Sequence, residues 1–135
     1  MRVSRSTGYA VLGVCYIAKN QGKGVVLSQS VSKAYDIPVE YLLKILQQFV
    51  RANVLRSKRG PRGGFCLARP ATKISMLEII EAVDGPMNGD LCLQEQAKHE
   101  KFSKKADAVY EKAVNSSKAV FAKTKLSTLI AEGKK

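Results

Sequence analysis

The first twenty residues carry a hydrophobic pattern that predicts a helix. Ser6 or Thr7 is a suitable N-cap, because a side-chain oxygen there can accept a hydrogen bond from a backbone N–H of the first turn. The helix is predicted to continue to about Asn20, and Gly22 and Gly24 end it. Its apolar faces are supplied by Tyr9, Leu12, Val14, Tyr16 and Ile17.

Two more helices are predicted, joined by a tight turn. Ser28 is the predicted N-cap of a short second helix, in which we expect Val31 and Ala34 to face inward. Residues 35–37 form the turn. Pro38 suits the first position of the third helix, where its missing N–H leaves no hydrogen bond unmade.

The third helix has two distinct faces. Its core-facing stripe is predicted to be Val39, Leu42, Ile45, Leu46 and Phe49. Its opposite face carries Glu40, Tyr41, Lys44, Gln47, Gln48 and Arg51. Leu43 lies at the border, and Asn53 is the predicted stop. Two short helices with a tight turn between them, the second polar on its outer face, indicate a helix-turn-helix.

Residues 54–58 and 65–68 are predicted to be the two strands of a hairpin. Its tip, residues 59–64, is rich in glycine, which lets the backbone turn tightly and approach a phosphate or groove wall closely. Arg59 and Arg62 at this tip suit a DNA minor groove, whose negative potential attracts guanidinium groups. A nucleotide-binding phosphate loop is the alternative, but the Gly-Lys-Ser/Thr ending and following helix are missing. We therefore favour a wing beside a recognition helix.

A capping box, Ser75-Met76-Leu77-Glu78, opens a fourth helix that ends at Asp84 before Gly85-Pro86. Residues 1–86 are thus expected to form a winged helix-turn-helix DNA-binding domain.

The remaining chain divides into a sensor-like loop (87–94), a long dimerisation helix (95–123), and a short terminal segment with a polar tail (124–135). Along the long helix, the residues of one stripe recur every three or four positions. This stripe lies too far along the chain to be buried fully in a small winged-helix core. We expect it to pair two copies of the chain, and packing on its own domain is the alternative. The stripe consists of Phe102, Ala106, Val109, Tyr110, Ala113, Ser117, Val120 and Phe121.

The positive charge of the chain is concentrated in its first half. The 135 residues are enough for one domain, and their net charge is +12. Residues 1–70 hold twelve basic and two acidic residues, a net charge of +10, whereas residues 71–135 carry only +2. We expect the first half to bind a polyanion, and a basic surface kept only for solubility is the alternative.

Composition narrows the class of protein further. An enzyme is not expected, because there are no paired carboxylates in a glycine-framed site, no nucleophile–base pattern and only one histidine. A non-specific basic nucleic-acid binder stays open, although 7% aromatic residues supply few stacking platforms. Three cysteines make a closed disulfide framework unexpected. The apolar stretch at residues 9–18 lacks a signal-peptide cleavage pattern, so we expect a cytoplasmic protein without a membrane partner.

The residues resemble the Rrf-two (Rrf2) family of bacterial winged-helix transcription regulators, which includes iron–sulfur-cluster regulators, nitric-oxide sensors and cysteine-metabolism repressors. The resemblance covers residues 1–92 closely and the long helix loosely. It is carried by Ile37-Pro38-Val39-Glu40-Tyr41-Leu42, Arg59-Gly60-Pro61-Arg62-Gly63-Gly64-Phe65, Leu67-Ala68-Arg69-Pro70, Ile74, Ile79-Ile80, Ala82-Val83 and Gly85.

The resemblance implies a homodimer that binds a partly palindromic double-stranded DNA operator, as a repressor that blocks polymerase access. It places Glu40, Tyr41, Leu43 and Lys44 at the major groove, and Arg59 beside Gly60 in the minor groove. Leu43 can contact a thymine methyl or simply pack, and we favour packing. The implied DNA-binding set is Arg5, Ser28, Ser30, Pro38, Glu40, Tyr41, Leu43, Lys44, Lys58, Arg59, Gly60 and Arg62.

The candidate sensor loop differs from that of the cluster-binding members of the family. The resemblance implies that those members carry three cysteines about six residues apart. Cys92 stands at the first of these positions, but Lys98 and Lys104 follow at that spacing. Because a cluster needs about four ligands, no cofactor is expected, and an atypical iron–sulfur set using Cys92 and His99 is the alternative. Cys92 is the candidate sensor of a redox, thiol or metabolite signal, which a partner protein could also deliver. Cys15 is expected to be buried in the core. Cys66 lies in a predicted strand, whose alternation leaves open whether its side chain is buried or exposed.

Overall fold

The computed structural model describes residues 4–60, 63–87 and 91–132, except for the side chain of Lys23. Short 3₁₀ turns cover Gln21–Lys23 and Ala71–Lys73. The described helices and strands are α1 (Arg5–Asn20), α2 (Ser28–Tyr35), α3 (Val39–Arg51), β1 (Leu55–Lys58), β2 (Gly64–Leu67), α4 (Met76–Asp84), α5 (Leu93–Ala97), α6 (Lys101–Lys123) and α7 (Leu126–Ile130). This order confirms a mainly helical fold with a small hairpin wing. No described helix is both long and apolar enough to cross a lipid bilayer.

The start of α1 differs from the prediction. Ser4 is the N-cap, and its side chain accepts a hydrogen bond from the Thr7 N–H at 3.2 Å. The hydroxyl groups of the two predicted caps are used elsewhere: that of Ser6 contacts Tyr41, and that of Thr7 donates to Asp84. Tertiary partners, which the local sequence does not reveal, therefore decide which residue caps the helix.

The helix-turn-helix is formed by α2 and α3, with small departures from the predicted bounds. Leu27 occupies the N-cap position of α2, so Ser28 begins the helix without capping it. Val31 is fully buried, but Ala34 is exposed rather than inward, because it lies about 60° further round the helix axis. Pro38 is the N-cap of α3 and not its first residue, since its ψ of 127° is extended.

The core lies where α1, α3, α4 and the wing meet. In α3, the stripe predicted to face inward is buried except for Val39, which is half-buried. Burying these side chains stabilises the fold by about 1.5–3 kcal/mol for each large apolar residue. The largest fully buried side chains are Phe49, Ile17, Ile37, Leu42, Leu46, Leu55, Ile74, Ile79, Leu126, Val14, Val31 and Val54.

The wing is an antiparallel hairpin tied to the loop before α2. Leu55 pairs with Leu67, and Lys58 pairs with Gly64. Val26 and Phe65 exchange two backbone hydrogen bonds, each 2.8 Å long. Because of this bridge, the wing is held at a fixed position beside the N-terminus of α2.

Residues 124–132 pack on the body of the domain. Ser75 forms the predicted capping box with Glu78 at the start of α4. The segment that leads into α7 pairs with the residues just before α4, and the Leu126 N–H donates to the Ile74 carbonyl at 2.8 Å. Leu126 is fully buried in the core. Over its described residues, the segment at 124–135, predicted to be a short terminal segment and polar tail, therefore completes the winged-helix body.

The long helix begins at Lys101, six residues later than predicted, because residues 93–97 form the separate short helix α5. Asp107 of α6 explains the separation. Its carboxylate accepts hydrogen bonds from the N–H groups of Leu93 and Gln94, at 3.4 and 3.2 Å. This contact folds α5 back against α6.

Candidate nucleic-acid interface

The exposed face of α3 carries the residues predicted to contact bases. Glu40, Tyr41, Leu43 and Lys44 are all exposed, and Leu43 reaches only 36% exposure. They lie on the opposite side of the helix from the buried stripe. A shallow concave surface follows this face and is lined by Ser6, Tyr41, Leu43, Lys44, Ile45, Gln47, Gln48 and Arg51.

Tyr41 is held in place by α1. Its hydroxyl group hydrogen-bonds the hydroxyl group of Ser6. Its ring packs edge-on against Tyr9, with ring centroids 5.7 Å apart and planes at 87°, a favoured aromatic geometry. Tyr41 therefore presents its ring in one fixed orientation, whereas Lys44 extends from the same face without a hydrogen bond or ion pair among the described residues.

A second groove joins three elements that the sequence placed in the DNA-binding set. It lies between the start of α2, the middle of α3 and the wing, and its volume is about 400 Å³. Ser28, Lys58, Arg59 and Gly60 all line it. Lys58 and Arg59 are exposed, and Ser28 is nearly buried. Three further polar residues that the predicted DNA-binding set does not contain also line this groove: Gln29, Gln47 and Ser57.

The glycines of the wing are required by close approach. A Cβ on Gly64 would lie 2.6 Å from the Val26 carbonyl oxygen, and a Cβ on Gly63 would lie 2.3 Å from the Lys58 carbonyl oxygen. Gly60 has φ of 109°, a conformation that residues with side chains rarely adopt. These glycines therefore set the position of the backbone from which the Arg59 side chain extends. Arg62 lies outside the described residues.

Arg5 and Ser30 lie apart from the wing groove. Arg5 is exposed in the first turn of α1, next to Ser6, which borders the α3 surface. Ser30 is half-buried in the first turn of α2, and its N–H donates to the Leu27 carbonyl at 3.1 Å. The structure thus gathers most of the predicted residues around the α3 face and the wing groove.

Arg69, which lies in the Leu67-Ala68-Arg69-Pro70 motif, has a structural role. Its guanidinium donates to the carbonyl groups of Asn53 at 3.1 Å and Lys73 at 3.0 Å, and pairs with Glu78 at 3.1 Å. Glu78 also accepts a hydrogen bond from the Ser75 N–H. This single side chain therefore joins the end of α3 to the start of α4, close behind the wing.

The predicted dimerisation stripe of α6 divides into two sets. One set is half-buried: Ala106, Tyr110, Ser117 and Phe121. The other set is exposed: Phe102, Val109, Ala113 and Val120. Phe102, Val109 and Val120 are 62–69% exposed, a large apolar exposure for one helix. The half-buried side chains pack within the chain itself. The exposed side chains are not covered by any part of a single copy that the structure describes.

The three cysteines occupy different environments. Cys15 and Cys66 are half-buried, and burial raises the pKa of the Cys15 thiol, which makes it less reactive. Cys92 is exposed and has a φ of 57° immediately before α5. Both ends of the segment around Cys92 are tethered by carboxylates: Glu81 accepts from the Met87 N–H at 2.6 Å, and Asp107 binds the start of α5.

The arrangement of helices, wing and long α6 matches a known family over nearly the whole chain. A family model described as Rrf2, iron-dependent transcriptional regulator, matches residues 3–132. The chain belongs to the Rrf2 family. The description of the family as a transcriptional regulator agrees with the class of protein that the sequence indicated.

Individual relatives resemble the chain over about two thirds of its length. The transcriptional regulator Rv1287 of Mycobacterium tuberculosis is 36% identical over 87 residues, which are 64% of this chain and 54% of that one. IscR of Cereibacter sphaeroides is 37% identical over 90 residues, 65% of this chain and 58% of that one. The chain thus spans little more than half the length of these relatives.

The fold also matches a solved structure of CymR, the global cysteine regulator of B. subtilis. The TM-score is 0.77, the sequence identity is 24%, and 99% of each chain is covered. This likeness confirms the winged-helix architecture with its long C-terminal helix.

The described residues around Cys92 do not supply the donors that an iron–sulfur cluster needs. Such clusters need about four ligands, most often thiolates. His99 is 78% exposed and lies 3.4 Å from Glu100, and Lys98 is exposed beside it. No group of three or more His, Cys, Asp or Glu side chains is placed to hold a metal within residues 4–60, 63–87 and 91–132. The described residues therefore offer too few donors for the iron that the family's description implies.

Proposed function

We propose that the chain is a homodimeric repressor that reads a DNA operator with α3 in the major groove and the wing in the minor groove. One observation supports this proposal most strongly. The start of α2, the face of α3 and the basic wing line one groove, in the half of the chain that carries a net charge of +10. A helix that reads bases, next to a flexible arginine, is an arrangement suited to duplex DNA.

The roles within the proposed interface differ by chemistry. Glu40 accepts hydrogen bonds from a base such as cytosine, and Lys44 donates to guanine or to phosphate. Tyr41 presents apolar surface that suits a thymine methyl group. Leu43 is assigned the same role in place of the packing favoured from the sequence, because its side chain is 36% exposed. The phosphate contacts, which set position but not sequence, are assigned to Arg5, Ser28, Ser30, Lys58 and Arg62.

The wing assignment is tested by replacing Arg59 with alanine. The probe is a labelled duplex that the wild-type chain enriches from a random pool, and the readout is fluorescence anisotropy. We expect about tenfold weaker binding and a relaxed preference at A·T-rich flanking positions. The matched control is Arg56→Ala, which removes the same charge from β1, at a residue that does not line the wing groove. Equal losses for the two variants, or equal affinity for unrelated duplexes, would instead favour a non-specific basic binder.

The exposed stripe of α6 supports the proposed homodimer. Val109 and Ala113 lie one helical turn apart in it, and both are exposed. Val109→Asp would remove two symmetric apolar contacts and place two charges in the interface, so the dimer dissociation constant should rise on the order of a hundredfold. Ala113→Asp should act similarly.

The control for the dimer interface is Ala108→Asp. Ala108 is also exposed, but it lies about 100° away from Val109 around the helix. Analytical ultracentrifugation should give monomers for the two stripe variants and a dimer for the control. A Val109→Asp chain that remains dimeric removes the stripe from the interface.

The proposed signal acts on the segment at residues 87–94. Cys92 is its exposed thiol, and both ends of the segment are tethered to neighbouring helices. A redox, thiol or metabolite change there is compatible with a regulator that works in the cytoplasm. A mild oxidant or electrophile should lower operator affinity of the wild-type chain but not of Cys92→Ser. An identical response of both chains assigns the signal to a metabolite or partner protein.

A further inference from the structure

Asp84, the last residue of α4, is bound to the first turn of α1. Its carboxylate accepts hydrogen bonds from the Ser4 hydroxyl at 2.7 Å and from the Thr7 hydroxyl. Ser4 and Thr7 also bond to each other across this turn. A carboxylate at this position also interacts favourably with the positive end of the α1 dipole. Asp84 therefore fixes the geometry of the turn.

The same turn holds the DNA-facing side of α3. Ser6 lies between the two residues that Asp84 contacts, and its hydroxyl group bonds to Tyr41. Tyr9, one turn further along α1, supports the ring of Tyr41. A shift or loosening of the α1 first turn would consequently move the ring that α3 presents to DNA.

A further contact holds the backbone that follows Asp84. Gly85 follows Asp84 with φ of 82°, and the Met87 N–H is held by Glu81, three residues before Asp84. The backbone just past Asp84 is therefore tied to the same final turn of α4 in which Asp84 lies.

We propose that Asp84 is a positioning residue for DNA recognition, which sets the orientation of Tyr41 through the hydroxyl groups in the first turn of α1. The inference rests on the proposed function, because it takes α3 to be that helix. It assigns a role to a carboxylate that never touches DNA.

A double-mutant cycle in the full chain tests the connection. The variants are Asp84→Asn, Tyr41→Phe and the double variant, with Glu132→Gln as a control that removes one negative charge elsewhere. The probe is a duplex enriched from a random pool by the wild-type chain. We expect each single variant to weaken binding about three- to tenfold, and the double variant to be no weaker than the worse single variant. Glu132→Gln should bind like wild type.

Two further readouts separate positioning from simple stability. Binding is measured at a temperature where circular dichroism shows every variant folded, and Asp84→Glu should recover part of the affinity. If Asp84→Asn does not fold, Thr7→Val replaces it in the cycle, since it removes the hydroxyl group that donates to the Asp84 carboxylate. Effects that multiply in the double variant, or an unchanged affinity for Asp84→Asn, overturn the inference alone. A wild-type chain that enriches no duplex overturns the proposed function and the inference with it.

Discussion

Gly64 is the residue whose replacement tests the geometry of the wing most sharply. In Gly64→Ala, the new methyl group would lie 2.6 Å from the oxygen and 2.9 Å from the carbon of the Val26 carbonyl. These separations are far shorter than van der Waals contact, and both atoms belong to the same backbone carbonyl group. The loop before α2 must therefore move away from the wing.

The expected loss of stability follows from what this movement breaks. Val26 and Phe65 exchange two hydrogen bonds of 2.8 Å, which contribute about 0.5–1.5 kcal/mol each. Residual overpacking adds about 1 kcal/mol or more. We expect the free energy of unfolding to fall by about 2–4 kcal/mol, a large fraction of the stability of a small domain.

Urea denaturation followed by far-UV circular dichroism measures this loss. Gly8→Ala is the matched control, because a Cβ at Gly8 meets nothing within 4 Å. Within α1, alanine should stabilise by about 0.5–1 kcal/mol, so the two Gly→Ala changes are expected to have opposite signs. A Gly64→Ala chain as stable as wild type would refute the close approach of the wing to Val26.

Three other changes are predicted from the described contacts. Arg69→Ala should lower the free energy of unfolding by about 2–3 kcal/mol in urea denaturation, because two carbonyl hydrogen bonds and the pair with Glu78 are lost, and Arg69→Lys should recover only part. Leu126→Ala should cost about 2–5 kcal/mol in the same assay, whereas a detached tail residue would cost nothing measurable. Partial desolvation opposes ionisation of Asp84, but its hydrogen bonds from Thr7 and Ser4 prevail and lower its pKa below the usual value of an aspartate. Its stabilising contribution is therefore present above about pH 4 and lost as the pH falls through the lowered pKa. The stability difference between wild type and Asp84→Asn should narrow in acid, and a difference independent of pH would contradict this assignment.

The sequence predicts the winged helix well because its signals are local. The capping box at Ser75 and Glu78 forms as expected, and the glycine-rich hairpin tip lies between the two strands. The buried stripe of α3 follows the 3.6-residue period of a helix. Each of these features is decided by residues close together along the chain.

The features that the sequence does not reveal depend on contacts between distant residues. Ser4 replaces the predicted caps because the hydroxyl groups of Ser6 and Thr7 bind other helices. The separate helix α5 depends on Asp107, which is more than ten residues away. The network through Asp84 spans 77 positions to Thr7. Periodicity and capping preferences carry no information about such pairings.

The central claim, sequence-specific reading of DNA by a dimer, is tested most directly by selection from a random duplex pool with the full wild-type chain. The account predicts enrichment of one partly palindromic site, with half-sites about one helical turn or a multiple of it apart, as two symmetric recognition helices require. It also predicts that affinity for this site falls steeply with salt. A pool that remains random after repeated selection, although the chain binds duplex DNA, would contradict it.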